Sequence, residues 1–356
     1  MKIRALTVLI DLNALKEDLD SFTSKLVENV DEASRKLGVE IWTIRLAVTP
    51  QPINRLNEVC KFLDENVCEK VNYINIPLKA SHDNDPNIVF KVLSSYKRIF
   101  TCLNGGLNEL DLFRKLLRIT LDSSNYEIFV KFSFSPKSHV TTPYFPSATA
   151  IKGEIGISAA LLYVDDLIKT VESNGNLKGR INECYQNTIK ILNYISKEMK
   201  IENFGVDLSL SPWLNESVAK LIEKITGIEF NNPKTHYGIF KINNLLKEIS
   251  NKTKTIGFNE VMLPYAEDSR LMELGAKGKL TAYDLLSYSP ICVAGFDVAV
   301  LPKMNDKTLK SLLLDTYSIL TSKNRPSGIR IILTHNQWGE IADLGFLGKA
   351  PVMKLK

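Results

Sequence analysis

Four times in 356 residues the chain repeats one seven-residue phrase: IRLAVTP at 44–50, VKFSFSP at 130–136, VDLSLSP at 206–212 and FDVAVLP at 296–302. The order is apolar, charged, apolar, small, apolar, then Ser, Thr or Leu, then Pro. Side chains of a strand alternate between its faces, so each phrase is a strand with one aliphatic face and one face that carries a charge. The closing proline cannot donate to a ladder and pushes the residue before it into extended geometry. Each strand therefore has a fixed stop. Three of the four lead into helical patterns, INRLNEVCKFLDEN, NESVAKLIEKIT and NDKTLKSLLLDTYSIL, with apolar residues at three- and four-residue intervals. These are the strand-to-helix units of an α/β fold.

The same reading along the chain predicts ten strands, near residues 3–10, 41–48, 71–76, 98–103, 126–134, 154–162, 203–210, 256–263, 292–300 and 328–333. Helical stretches separate most of them, the longest being 14–37 and 178–199. No Gly/Ser-rich or Pro-rich linker divides the chain. The expectation is one domain, residues 1–356, of two five-stranded halves, about 1–136 and 151–356, joined by an irregular connection at 137–150.

A charged strand face needs a home. In a closed barrel Arg45, Lys131, Asp207 and Asp297 look inward at equivalent heights, two basic and two acidic, with Ser209 and Ser211 beside Asp207. Glu260, in the predicted strand 256–263, joins the set. Two readings stay open: the groups satisfy one another as an internal ion-pair network, or they line a site for a small polar or anionic molecule.

Composition removes several classes. The 45 basic and 40 acidic residues give a net charge of +5 and form no run of like charges, so no nucleic-acid arm is expected. Hydrophobic content of 44% with 24% charged residues excludes disordered and fibrous chains. The opening MKIRALTVLIDLNALKEDLD reads as neither a signal peptide nor a membrane span. Five cysteines, odd in number and without a Cys-x-x-Cys pair, fit reduced thiols, so a cytoplasmic protein is expected. His82, His139, His236 and His335 are far apart, so no metal motif is present and no metal is expected. Glu267 and Asp268 fall in the first turn of a predicted helix, where the macrodipole stabilises acids.

The segments GVDLSLSPWLNESVAKLIEKITGIEF, THYG, LPYAEDSRLMELGAKGKL, PICVAGFDVAVLP and GIRIILTHNQWGEIADLGFLGKAPVMK, with IRALTVLIDL and IRLAVTP near the start, together resemble the DUF711 or UPF0210 family, the PFL-like family proteins. The resemblance implies the ten-stranded α/β barrel of the pyruvate formate-lyase-like glycyl radical enzymes, in which two five-stranded halves pack antiparallel. It supplies no reaction, and fold alone licenses none. It also points to His236, in THYG, as a candidate ligand residue. The radical motif is missing: LGFLGKAPVMK, with Gly345 and Gly348, does not fit an Arg-Val-x-Gly-Tyr pattern. Cys292, the nearest candidate for the partner thiol, reads as a core residue. The glycine-rich loop expected between GFNEV and MLPYAED is also absent. The functional expectation is a small polar or anionic ligand inside the barrel, in a non-radical enzyme or a binder, with no cofactor indicated. A catalytically silent barrel serving as an oligomeric scaffold is the alternative, and a homo-oligomer is expected under either.

Overall fold

The computed structural model describes residues 1–79, 85–136, 139–293, 296–323 and 325–356. His82, the start of the predicted connection 137–150 and two positions of the predicted strand 292–300 lie outside the described residues. Strands β1 (Lys2–Ile10), β2 (Ile44–Val48), β3 (Gln51–Pro52), β4 (Tyr73–Lys79), β5 (Ile99–Asn104), β6 (Phe132–Ser135), β7 (Ile155–Leu162) and β8 (Glu202–Asp207) make one sheet in the order β6-β5-β4-β2-β1-β7-β8, with β3 beside β4. Neighbours run parallel except β1 and β7, which meet antiparallel with Thr7 opposite Ser158. Strands β9 (Ala299–Pro302) and β10 (Ile331–Thr334) form a separate parallel pair, and β11 (Ile341–Asp343) with β12 (Lys349–Pro351) a short antiparallel one.

The helices are α1 (Leu19–Leu37), α2 (Leu56–Asn66), α3 (Pro86–Ser95), α4 (Leu107–Asp122), α5 (Glu127–Val130), α6 (Val164–Glu172), α7 (Leu177–Met199), α8 (Val218–Thr226), α9 (Thr235–Ser250), α10 (Ser269–Ala276), α11 (Ala282–Tyr288) and α12 (Asp306–Lys323). Helix α1 shows how they arise. Asp18 caps its start by accepting from the Ser21 amide, Gly38 ends it at φ 65°, and Leu19, Phe22, Leu26, Val30 and Ala33 bury one stripe. None of the described helices is long and apolar enough to cross a membrane.

The two faces of the large sheet are covered differently. Leu6, Val8, Leu46, Ile74, Ile76 and Ile157 belong to the aliphatic core shared with the helices. By register the opposite face carries Thr7, Arg45, Tyr73, Phe100, Ser158 and Asp207. That face is covered by the irregular segment 139–150. Thr7 Oγ1 donates to Pro143 O at 3.0 Å, Asn75 Nδ2 to Ala148 O at 2.6 Å, and Leu9, Ala47, Ala148 and Ala150 pack together. In IRLAVTP the alternating phrase is therefore a strand covered on both sides, by helices on one and by the 139–150 segment on the other.

Three expectations are corrected. The predicted strand 126–134 opens as helical turn α5; Lys131, at φ −86° and ψ −7°, is not extended, and β6 starts only at Phe132. The stretch 256–263 is no strand, touching its neighbour through single bridges, Val206 to Thr255 and Leu210 to Val261. Among the described residues of 292–300, strand β9 begins at Ala299, after Val298 at φ 49°. Among the described residues the ladder consequently does not close, and one antiparallel bridge, Phe134 to Ile329, links β6 to the approach of β10. Among the described residues the expected ten-stranded barrel is not found as a continuous ladder. Asp207 supplies the physical reason on one side: its carboxylate takes the amides of Ser209, Phe258 and Asn259, which are then unavailable for strand pairing.

Candidate anion-binding site

Beyond the 139–150 segment lies a run of alternating charges. Arg4 is the unpaired residue of a bulge between Ile3 and Ala5 in β1, and a bulge re-aims a side chain that alternation would send elsewhere. Its guanidinium donates to Ser211 Oγ at 2.6 Å and to Glu267 Oε2 at 2.5 Å. Glu267 ends the short turn Tyr265–Glu267 that follows Pro264, and it accepts from Arg330 at 3.0 Å. Arg330, just before β10, grips Asp297 with two bonds of 2.6 and 2.7 Å, the bidentate geometry that guanidinium and carboxylate favour. Burial opposes the charge of Glu267, but Arg4 and Arg330 outweigh it and hold the carboxyl below its ordinary range. Next to Asp297, Val298 keeps a positive φ that β-branched residues rarely adopt. Such strain persists only where the surroundings over-determine it.

Two guanidiniums and two carboxylates cancel, and one more guanidinium sits beside them. Arg45, on β2, has no ion pair among the described residues. Its Nε donates to Thr43 Oγ1 at 2.9 Å, and its guanidinium lies 5.5 Å from the Tyr73 ring and 5.3 Å from that of Phe145. Burial, with Arg4 as a like-charged neighbour, pushes its pKa down to about 10. The cluster thus carries one uncompensated positive charge.

The hollow in front of these groups has two lobes. The smaller, about 60 Å3, is lined by Tyr144, Ser211 and Asp297 among others, and the larger, about 140 Å3, by aromatic side chains. Both share Arg4, Arg45, Glu267 and Arg330, so they are parts of one space. Either lobe is small beside the roughly 300–1,000 Å3 of drug-sized pockets. Both carboxylates are committed to guanidiniums, and burial pushes the Tyr144 phenol far above its ordinary value while its hydroxyl donates to Ser209 O at 3.3 Å. Among the described residues no group is placed there as a general base. Among the described residues no cluster of three or more His, Cys, Asp or Glu could hold a metal.

Residues 117–344 match the family described as Uncharacterised ACR (DUF711). The chain belongs to the DUF711 family. Relatives of this DUF711 chain carry the name UPF0210 protein. The one from Sulfurisphaera tokodaii is 28% identical over 419 residues, covering 100% of this chain and 90% of its own length. Those from Pyrobaculum islandicum and Methanocaldococcus jannaschii are 24% and 23% identical, each covering 97% of this chain, and 85% and 87% of their own length. The first alignment spans 419 residues against the 356 of this chain, so that relative carries segments this one lacks. Among solved structures, the anaerobic ribonucleotide reductase from Thermotoga maritima in complex with dATP and CTP aligns at a TM-score of 0.45 and 9% identity, covering 99% of this chain and 79% of that one. Likeness at that level speaks for neither fold nor chemistry.

Of the eight residues singled out in the sequence of this DUF711 chain, Arg45, Ser211 and Asp297 line the hollow. Asp207 and Ser209 lie behind it, buried. The Asp207 carboxylate accepts from Thr142 Oγ1 at 3.0 Å, Ser209 Oγ at 2.6 Å and three backbone amides, which fills its lone pairs. It fastens the 256–260 turn to the end of β8 and is not free for a ligand. Gly257 makes that possible: at φ 81°, an added Cβ would stand 2.1 Å from Asp207 Oδ2. Gly257→Ala is expected to lower stability by about 2–4 kcal/mol, measured by urea unfolding; a loss under about 1 kcal/mol would mean that the turn relaxes away from Asp207.

The other three candidates lie outside the hollow. Lys131 points away from the hollow and donates to Leu93 O and Tyr96 O, both at 2.6 Å, closing the end of α3. Glu260 pairs with Lys323 at 2.9 Å and with Arg325 in a neighbouring groove. His236 is exposed on α9, its ring 4.5 Å from that of Tyr288. Arg4, Arg330, Glu267 and Tyr144 were not singled out as ligand residues. The one sequence signal for the arginines is an Arg set alone among aliphatic residues, as in IRALTV and GIRIIL. Of the two first-turn acids, Asp268 does cap α10, accepting from the Arg270 amide at 2.9 Å, whereas Glu267 turns to the arginines. Cys292 is buried, and burial pushes its thiol up to about 12, which suits an inert core position.

Proposed function

We propose that this DUF711 chain binds a small anionic molecule in the hollow between Arg4, Arg45 and Arg330. Arg45 carries the reading: a partly buried guanidinium without a carboxylate partner among the described residues costs folding free energy, and an anion would offset that cost. Under this reading the chain is one domain in which segments 1–136 and 151–356 form the two halves of an irregular ten-segment barrel, with the bridges at Phe134, Leu210 and Val261 standing in for ladders. The 139–150 segment then fills most of the interior, and the hollow is the space it leaves. Whether binding leads to chemistry depends on the ligand, since the described residues place no free general base in the hollow.

Scanning fluorimetry and isothermal titration calorimetry with formate, acetate, phosphate and sulfate, against chloride at matched ionic strength, test the reading. A site ligand should bind one per chain and stabilise the fold by about 2.7 kcal/mol at a hundredfold excess over Kd. No effect beyond that of chloride would overturn the reading and favour the silent oligomeric scaffold.

A further inference from the structure

The larger lobe has an unusual lining. Trp42, Tyr73, Phe100, Phe145, Trp213 and Phe346 form its walls, against only two aliphatic side chains, Val130 and Leu347. The rings hold one another mostly edge to face: Trp42 and Trp213 at 4.8 Å and 69°, Tyr73 and Phe100 at 5.2 Å and 72°, Phe100 and Phe346 at 5.9 Å and 68°. These six residues come from six separated parts of the chain, so neighbouring sequence does not explain their meeting. A lobe meant for a fatty chain would be lined by Leu, Ile and Val. Aromatic walls add a geometric preference for another ring.

The charged groups border the same space. Arg45 lies against Tyr73 and Phe145, and Arg4 lies 5.3 Å from the Trp213 ring. An anion meeting Arg45 therefore has its carbon skeleton among the rings. Volume limits the skeleton. A cavity of about 150 Å3 accepts benzene, and this lobe has about 140 Å3. One ring fills a space of that size. Phe346 is 42% exposed, so the lobe reaches solvent.

We infer that the ligand is a small aromatic carboxylate, a single planar ring bearing one carboxylate, with the ring in the aromatic lobe and the carboxylate on Arg45. This rests on the reading of the hollow as an anion site. Calorimetry on the full chain with benzoate, cyclohexanecarboxylate, acetate and inorganic phosphate tests both. Benzoate is expected to bind tightest, with cyclohexanecarboxylate roughly threefold to tenfold weaker because it keeps the buried area and loses the ring-ring geometry. Phe346→Leu, at an exposed position where folding is least at risk, should weaken benzoate by a similar factor and leave acetate unchanged. Equal affinity for benzoate and cyclohexanecarboxylate, or phosphate binding tightest, would overturn the aromatic inference and leave the anion site standing. No binding by any of the four would overturn both.

Discussion

Glu267→Gln is expected to cost about 3–5 kcal/mol of folding stability, the usual penalty for removing one partner of a buried ion pair. Glu267 is the only described carboxylate within ion-pair distance of Arg4, and it also supports Arg330, so its loss leaves a guanidinium buried without compensation. The variant retains the shape of the side chain, which isolates charge from packing. The pH dependence has a definite sign. With its folded pKa held below the ordinary value of 4.5, Glu267 contributes stability that is full above that value and is lost as pH falls through the lower folded one. Urea unfolding from pH 7 to pH 3 should therefore show wild type and Glu267→Gln converging at the acid end. A loss under about 1 kcal/mol at pH 7, or parallel curves down to pH 3, would mean that the pair is solvated.

Arg45→Met is expected to do the opposite to stability while removing the proposed anion binding. Among the described residues the charge of Arg45 has no carboxylate partner to repay its partial burial, which with the like charge of Arg4 pushes its pKa down to about 10. Contact with the Tyr73 and Phe145 rings returns about 1 kcal/mol. The empty variant should match or exceed wild-type stability, by about 1–2 kcal/mol, and should lose the whole anion-induced stabilisation. Stability given up at one position for binding there is the signature of a site. Undiminished anion binding in Arg45→Met would move the site elsewhere, and a variant less stable than wild type by more than about 2 kcal/mol would mean that Arg45 is structural. Together the two substitutions separate the neutral network, which holds the fold, from the extra charge, which does not.

The sequence by itself determined the repeating unit. Alternation in IRLAVTP, with proline closing it, marks a strand with one aliphatic and one polar face, and the three-to-four spacing that follows marks the helix behind it. Helix α7 at Leu177–Met199 and β7 at Ile155–Leu162 lie almost where periodicity puts them. Those signals are local, so a one-dimensional pattern carries them. The assignment of charges to partners is not local. Arg4 and Glu267 are 263 residues apart, and a one-residue bulge decides that Arg4 turns to meet Glu267. A single helical turn before β6 removes Lys131 from the face that alternation gives it, while Asp207, the most suggestive residue of VDLSLSP, spends its carboxylate on a turn fifty residues further on. Only tertiary structure could decide which charges cancel and which one, Arg45, is left over, because that depends on where distant backbones cross.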